Sequence, residues 1–194
     1  MAKPASALAH RPDAVPAGAV ARVGEIRPRS ILQVSAWPDT LPSVQAVITD
    51  LLGVQPPTVG MALADPNITV ACVAPGRFMI AGMAPDLGMR FEAALPSEDG
   101  AVTDVSHGRV VLRLEGEAAR LLASAVALDL HPSVFPPGRV APTVIHHIDV
   151  LVHRLTATRF DLWVLRGFAE SLLDWLLDAG VDLGIAFNRR DTRS

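Results

Sequence analysis

From Ser30 to Phe187 the spacing of apolar residues alternates between a strand period and a helix period in one fixed order, and that order is run through twice. In the first pass Ser30–Trp37 has strand composition, and Pro38-Asp39-Thr40 supplies a turn with Thr40 placed to cap a helix. Val44, Val47, Ile48, Leu51 and Leu52 then recur at i, i+3, i+4, i+7 and i+8, one face of a helix that Gly53 ends. Ile68–Val73 and Phe78–Ala81 read as strands joined at Ala74-Pro75-Gly76-Arg77. Leu87–Leu95 reads as a second helix and Ala101–Ser106 as a closing strand. In the second pass Arg109–Leu114 is a strand, Gly116–Ala127 a helix, and Thr143–Leu155 with Phe160–Leu165 the extended middle. A helix follows with Phe168, Leu172, Trp175, Leu176 and Ala179 on one side; Gly180 stops it, and Val181–Phe187 is the last strand.

Each pass is therefore β-α-β-β-α-β. The expected fold class is α+β: two ferredoxin-like units, each a layer of antiparallel strands under a layer of two helices. The expected domain is 30–187, with halves at 30–107 and 108–187. Residues 1–29 mix alanine, proline and arginine and read as an N-terminal arm, loose alone or ordered by a partner; residues 188–194 read as a C-terminal tail. The proline-rich stretch His131-Pro132-Ser133-Val134-Phe135-Pro136-Pro137-Gly138 is a long loop of the kind that carries contacts.

Several functions are disfavoured by composition. A net charge of −3 and a pI near 6.0 give no basic field for a phosphate backbone, so nucleic acid is not an expected partner. Cys72 is the only cysteine, which leaves no intrachain disulfide and no thiolate metal cluster. No stretch is apolar enough to span a membrane, and residues 1–29 lack the apolar core of a secretory signal, so the expected place is the cytoplasm. Yet half the residues are hydrophobic and only 19% are charged. Such a surplus fits either a large core or a face buried against another chain.

The chemistry-bearing residues do not assemble into a site on this pattern. Asp104, Ser106 and His107 suggest an activated hydroxyl, but along a strand Asp104 and Ser106 share one face and His107 takes the other. His146 and His147 are adjacent and diverge, and His153 lies six residues further, so a shared metal is not expected. The glycines match neither GxGxxG nor GxxxxGK[ST]. Asp149 and Asp161 stand as isolated carboxylates on strands, and Trp37, Trp163 and Trp175 read as core or interface anchors. No catalytic, cofactor-binding or metal residue is expected in this chain.

The stretches VTDVSHGRVVLRLEGEAARLLASAVALDLHPSVFPPG and FDLWVLRGFAESLLDWLL, with AWPDTL around Trp37, resemble the gamma-subunit family of heterotetrameric sarcosine oxidases. A more distant likeness joins that family to the folate-binding aminomethyltransferases of the glycine cleavage system, whose folate-binding region is similarly built of ferredoxin-like units. The resemblance implies partners, namely alpha, beta and delta subunits. It implies FAD, FMN, NAD and zinc held on those chains, and a reaction that demethylates sarcosine and passes formaldehyde to tetrahydrofolate. The gamma chain itself is implied to be non-catalytic. Where the aminomethyltransferases carry a carboxylate pair, this chain has Ile148-Asp149, which weakens the alternative of a free-standing folate-binding one-carbon protein. Related complexes with similar small subunits act on other N-methyl amino acids, so a subunit of an N-methylglutamate dehydrogenase is a further alternative. Expected contact residues are His131, Pro132, Phe135, Pro136 and Pro137 in the loop, together with Trp37 and Arg109.

Overall fold

Alternating apolar residues in Ser30–Ala36 (β2) send Leu32 and Val34 to one face, where Phe78 and Ile80 of Arg77–Gly82 (β5) meet them from the antiparallel neighbour. The computed structural model describes residues 6–188, and these divide into two units, Pro28–Ser106 and residues 6–27 with 107–188.

The Pro28–Ser106 unit has a five-stranded sheet in the order β3-β4-β5-β2-β6, where β3 is Ala62–Ala64, β4 is Ile68–Ala74 and β6 is Gly100–Asp104. Without the short edge strand β3 this is the ferredoxin-like order, antiparallel throughout. Its helices are Leu41–Leu52 (α1) and Leu87–Ala94 (α2). Val44 and Ile48 of the first and Leu87 and Phe91 of the second are buried in one core with Leu32, Val34, Val70, Cys72, Phe78 and Ile80. Gly53 ends α1 in the left-handed region, φ 69°, with its N–H on the Thr49 carbonyl. Thr40 holds the N-cap position but makes no side-chain cap bond. Its hydroxyl instead donates to the carbonyls of Trp37 and Asp99, tying two turns together.

The other unit has a six-stranded sheet in the order β11-β1-β7-β10-β9-β8. Its strands are Ala21–Ile26 (β1), Arg109–Gly116 (β7), Val140–Ile145 (β8), Ile148–Arg154 (β9), Arg159–Leu165 (β10) and Ile185–Asn188 (β11). The ferredoxin-like order is again present, with β1 inserted between the first strand, β7, and the fourth, β11. β1 runs antiparallel to β7 and parallel to β11. Helices Ala118–Ala123 (α3) and Ala169–Ala179 (α4) cover one face, with Leu121, Leu122, Leu172, Leu173 and Leu176 buried against Leu112, Leu114, Val152, Phe160 and Leu162.

Four expectations change here. The supposed arm, residues 1–29, contains the interior strand β1, and Leu8 is buried in the core. His10 and Arg11 pair with Glu170 and Asp174 of α4. Alanine and proline lowered the average of that segment and hid the Ala21-Arg22-Val23 alternation. The domain consequently does not begin at residue 30. The stretch Thr143–Leu155 is not one extended run: it folds back at His146-His147, both with positive φ (45° and 67°), a two-residue hairpin turn between β8 and β9. The helix expected over Gly116–Ala127 spans only Ala118–Ala123, because Gly116 takes φ 84° at the end of β7. The strand expected over Val181–Phe187 starts at Ile185, after a single 3-10 turn Val181–Leu183. Of the expected tail, residues 189–194 lie outside the described residues, as do 1–5.

Candidate functional site

The residues of the six-stranded unit that demand explanation are its buried polar groups. Cross-strand pairing puts Phe160 opposite both Leu114 and Arg154, on the helix-bearing face, and Asp161 opposite both Arg113 and His153, on the other. Two polar arrangements result, one on each side of the sheet.

On the helix-bearing side Arg154 is buried. Its Nη1 donates to the carbonyls of Leu130 (3.0 Å) and Phe135 (2.8 Å), Nε to Thr156 (3.1 Å) and Nη2 to Ala157 (3.0 Å), while its guanidinium carbon lies 5.1 Å from the Phe160 ring centroid. A planar fork with five donors is the side chain suited to several fixed carbonyls at once. Main-chain bonds reinforce it: Gly138 N–H donates to the Arg154 carbonyl (2.7 Å) and Arg154 N–H to that of Arg139 (2.9 Å). The loop between α3 and β8 is thus fastened to β9 at both ends of its proline-rich tip.

On the opposite side Arg113 Nε and Nη2 donate to Asp161 Oδ1 and Oδ2 at 2.7 and 2.8 Å, a bidentate ion pair with the Asp161 side chain 5% exposed and the Arg113 side chain 17%. His153, 1% exposed, faces Asp161 from β9, and its Nδ1 has no hydrogen-bond partner among the described residues. Burial lowers the His153 pKa below its ordinary value near 6.5; Asp161 partly opposes this and Arg113 adds to it. Above about pH 6.5 the imidazole is neutral in both folded and unfolded chain. As pH falls below that value only the unfolded chain takes up the proton readily, so stability is lost in acid with a slope of at most about 1.4 kcal/mol per pH unit. Denaturant unfolding of His153→Phe between about pH 5 and 7.5 should show a flatter dependence than the unsubstituted chain. Parallel curves would mean another group is responsible.

The residues singled out by sequence fall as follows. Asp104 accepts from Ser106 N–H (2.8 Å), and Ser106 Oγ accepts from Ile31 N–H (2.8 Å) and lies 3.4 Å from the Ile31 carbonyl. The hydroxyl thus serves the end of β2, and His107 is exposed. His146 stacks on Trp175, ring centroids 6.1 Å apart, at the hairpin turn. Among the described residues no three His, Cys, Asp or Glu side chains converge in a way that could hold a metal. Asp149 is exposed, with Ile148 buried beside it. Cys72 is buried, and burial pushes its thiol pKa up, away from the reactive thiolate. A Cβ on Gly100 or Gly116 would stand 2.4 Å from the Ser35 carbonyl oxygen or 2.2 Å from that of Val20. These glycines admit the chain's own backbone, which does not fit a phosphate cradle. No helix among the described residues is long and apolar enough to cross a membrane.

Of the expected contact residues, His131, Pro132 and Pro137 are exposed and Pro136 and Arg109 half-buried. Trp37 is 45% exposed, its indole N–H fixed on the Ser97 carbonyl at 2.8 Å. Phe135 is a correction, for it lies in the core of the six-stranded unit and cannot offer its ring to a partner. Arg154, the Arg113–Asp161 pair and the role of His153 were not read from the sequence. The one local signal is Val-His-Arg inside the apolar run Val150–Leu155.

Residues 38–182 match the family model described as Sarcosine oxidase, gamma subunit family. The chain belongs to that family. It is 35% identical over 127 residues to sarcosine oxidase subunit gamma of Corynebacterium sp. strain U-96, covering 64% of this chain and 62% of that one. With the Arthrobacter sp. subunit gamma the figures are 35% over 121 residues, 61% and 60%. These matches span less than two thirds of the relatives' length. Among solved structures, a chain of the heterotetrameric sarcosine oxidase from Corynebacterium sp. U-96 is 28% identical and superposes with a TM-score of 0.82, over 93% of this chain and 96% of that one. The glycine cleavage system aminomethyltransferase T from Bartonella henselae, 18% identical, superposes at 0.61 over 87% of this chain and 48% of that one, a likeness of fold. The α+β architecture of ferredoxin-like units is therefore common to the gamma-subunit family and the aminomethyltransferase.

Proposed function

We propose that this chain is the gamma subunit of a heterotetrameric sarcosine oxidase in the cytoplasm. That complex demethylates sarcosine oxidatively to glycine and passes formaldehyde to tetrahydrofolate. The gamma chain supports the alpha and beta chains and, with the delta chain, completes the assembly without turning over substrate. The observation that carries this reading is the agreement over 96% of a chain taken from such a heterotetramer. The non-catalytic part is supported by the engaged Ser106 hydroxyl and by glycines closed over their own backbone. FAD, FMN, NAD and zinc belong on the other chains in this reading. The proposed contacts are Trp37, Arg109 and the loop residues His131, Pro132, Pro136 and Pro137. Coexpression with the neighbouring large and small chains tests it. The chain should co-purify with them in equal amounts, and sarcosine-dependent oxygen consumption should follow the complex and be absent from the chain alone. Assembly and full activity of the other chains without it, or turnover by the isolated chain, would refute the proposal.

A further inference from the structure

We infer that Arg154 is a positioning residue for subunit association: it fixes the shape of the loop tip His131–Pro137 so that the tip docks, already ordered, in an apolar recess of a neighbouring chain of the complex. The inference rests on the subunit reading above and goes beyond it by naming the device and the chemistry of the surface it meets.

Between the end of α3 at Ala123 and the start of β8 at Val140 the chain runs sixteen residues without helix or strand. Connections of that length inside a compact unit are uncommon and, when ordered, carry function. This one is ordered by an unusual choice. Among the described residues the buried Arg154 donates to four neutral main-chain carbonyls, and a cation taken out of water without a carboxylate is poorly compensated. A leucine or methionine at the same place would fill the space without desolvating a charge, so packing alone does not favour arginine. What arginine supplies is geometry. One Nη1 holds the carbonyls of both Leu130 and Phe135, and this sets the separation of the two ends of the tip.

Within those ends the tip is braced again. Asp129 Oδ1 accepts from His131 N–H at 2.8 Å, and His131 Nδ1 lies 2.7 Å from Ser133 Oγ. Phe135 anchors it from below in the core. Three prolines restrict the remaining freedom. What faces outward is Val134, 53% exposed, with Pro132 beside it, and no charged side chain occurs from Pro132 to Gly138. A rigid, uncharged, proline-flanked valine matches an apolar recess. Because the tip is already ordered, association loses little conformational freedom. The occupant is a chain of the same complex, since the solved structure that aligns over nearly its whole chain comes from a heterotetramer.

The test measures binding of the full chain to the other subunits purified as a preassembled set. Arg154→Met, which keeps volume and drops the donors, should speed amide exchange across residues 129–138 by tenfold or more. Protection in β7, β9 and β10 should be retained, and association should slow about tenfold with a smaller change in dissociation. Val134→Asp should leave loop exchange unchanged and weaken binding by a similar factor or more. If Arg154→Met does not fold, Pro132→Gly with Pro136→Gly loosens the tip while leaving the guanidinium in place and should reproduce the slower association. A loosened loop that associates at the original rate overturns the role of Arg154, and Val134→Asp binding at full strength overturns the docking surface. No association of the unsubstituted chain with those subunits overturns the subunit reading and this inference with it.

Discussion

Removal of residues 1–27 is expected to abolish folding of the six-stranded unit, measured as loss of amide-exchange protection in β7, β9 and β10, while β2, β4 and β5 of Pro28–Ser106 keep theirs. β1 lies between β7 and β11, with six residue pairs to the first and four to the second. Its loss therefore strips two neighbours and leaves β11 with nothing in its own sheet to pair with. Leu8 and Val23, both fully buried, contribute about 1.5–3 kcal/mol each. The ladder hydrogen bonds add about 0.5–1.5 kcal/mol apiece. Their sum is comparable with the whole stability of an ordinary domain, about 5–15 kcal/mol. An arm that merely awaits a partner would predict the opposite, an unchanged melting curve. Full protection of β7 in the shortened chain would show that β1 is dispensable.

That contrast shows where sequence stops being legible. The alternation in Ser30–Trp37, the helical face through Val44, Ile48 and Leu51 and the stop at Gly53 depend on near neighbours in the chain, and the structure keeps each of them. So does the order of elements in each unit, because period and length are local properties. What could not be read is what comes together from afar. β1 is separated from β7 by the entire Pro28–Ser106 unit, and nothing within Ala21–Ile26 says that a slot awaits it. Asp161 looks isolated along the chain, and it acquires a partner only when register sets Arg113 opposite it. Arg154 is likewise defined by carbonyls nineteen and twenty-four residues upstream. Carbonyl acceptors exist at every residue, so no side-chain pattern announces them. Even the His146-His147 turn runs against local preference, since such hairpins favour asparagine and glycine; in the structure His146 stacks there on Trp175 of α4.

Asp161→Ala should be the most damaging single change among the polar residues, costing about 3–5 kcal/mol. For a chain of this size that corresponds to a fall in Tm of about 6–20 °C. The substitution takes the bidentate carboxylate from an arginine whose side chain is only 17% exposed, and removes the charge that offsets most directly the desolvation incurred by Arg113. If this is the cause, replacing both partners together, Arg113→Met with Asp161→Leu, should recover most of the loss, because no buried charge remains. The effect should also depend on pH. Asp161 is the group that favours the protonated form of His153, while burial and Arg113 oppose it. Without the carboxylate, His153 in the folded chain resists protonation still more, whereas in the unfolded chain it titrates as before. The gap in stability between the unsubstituted chain and Asp161→Ala should therefore stay level just below about pH 6.5, where both folded chains keep His153 neutral, and widen only as pH falls through the lowered value that His153 has in the folded unsubstituted chain. Urea unfolding of the two chains at several pH values reads both effects at once. A loss below about 1 kcal/mol, constant with pH, would mean that the guanidinium reaches solvent on its own and that the pair contributes no more than an exposed one.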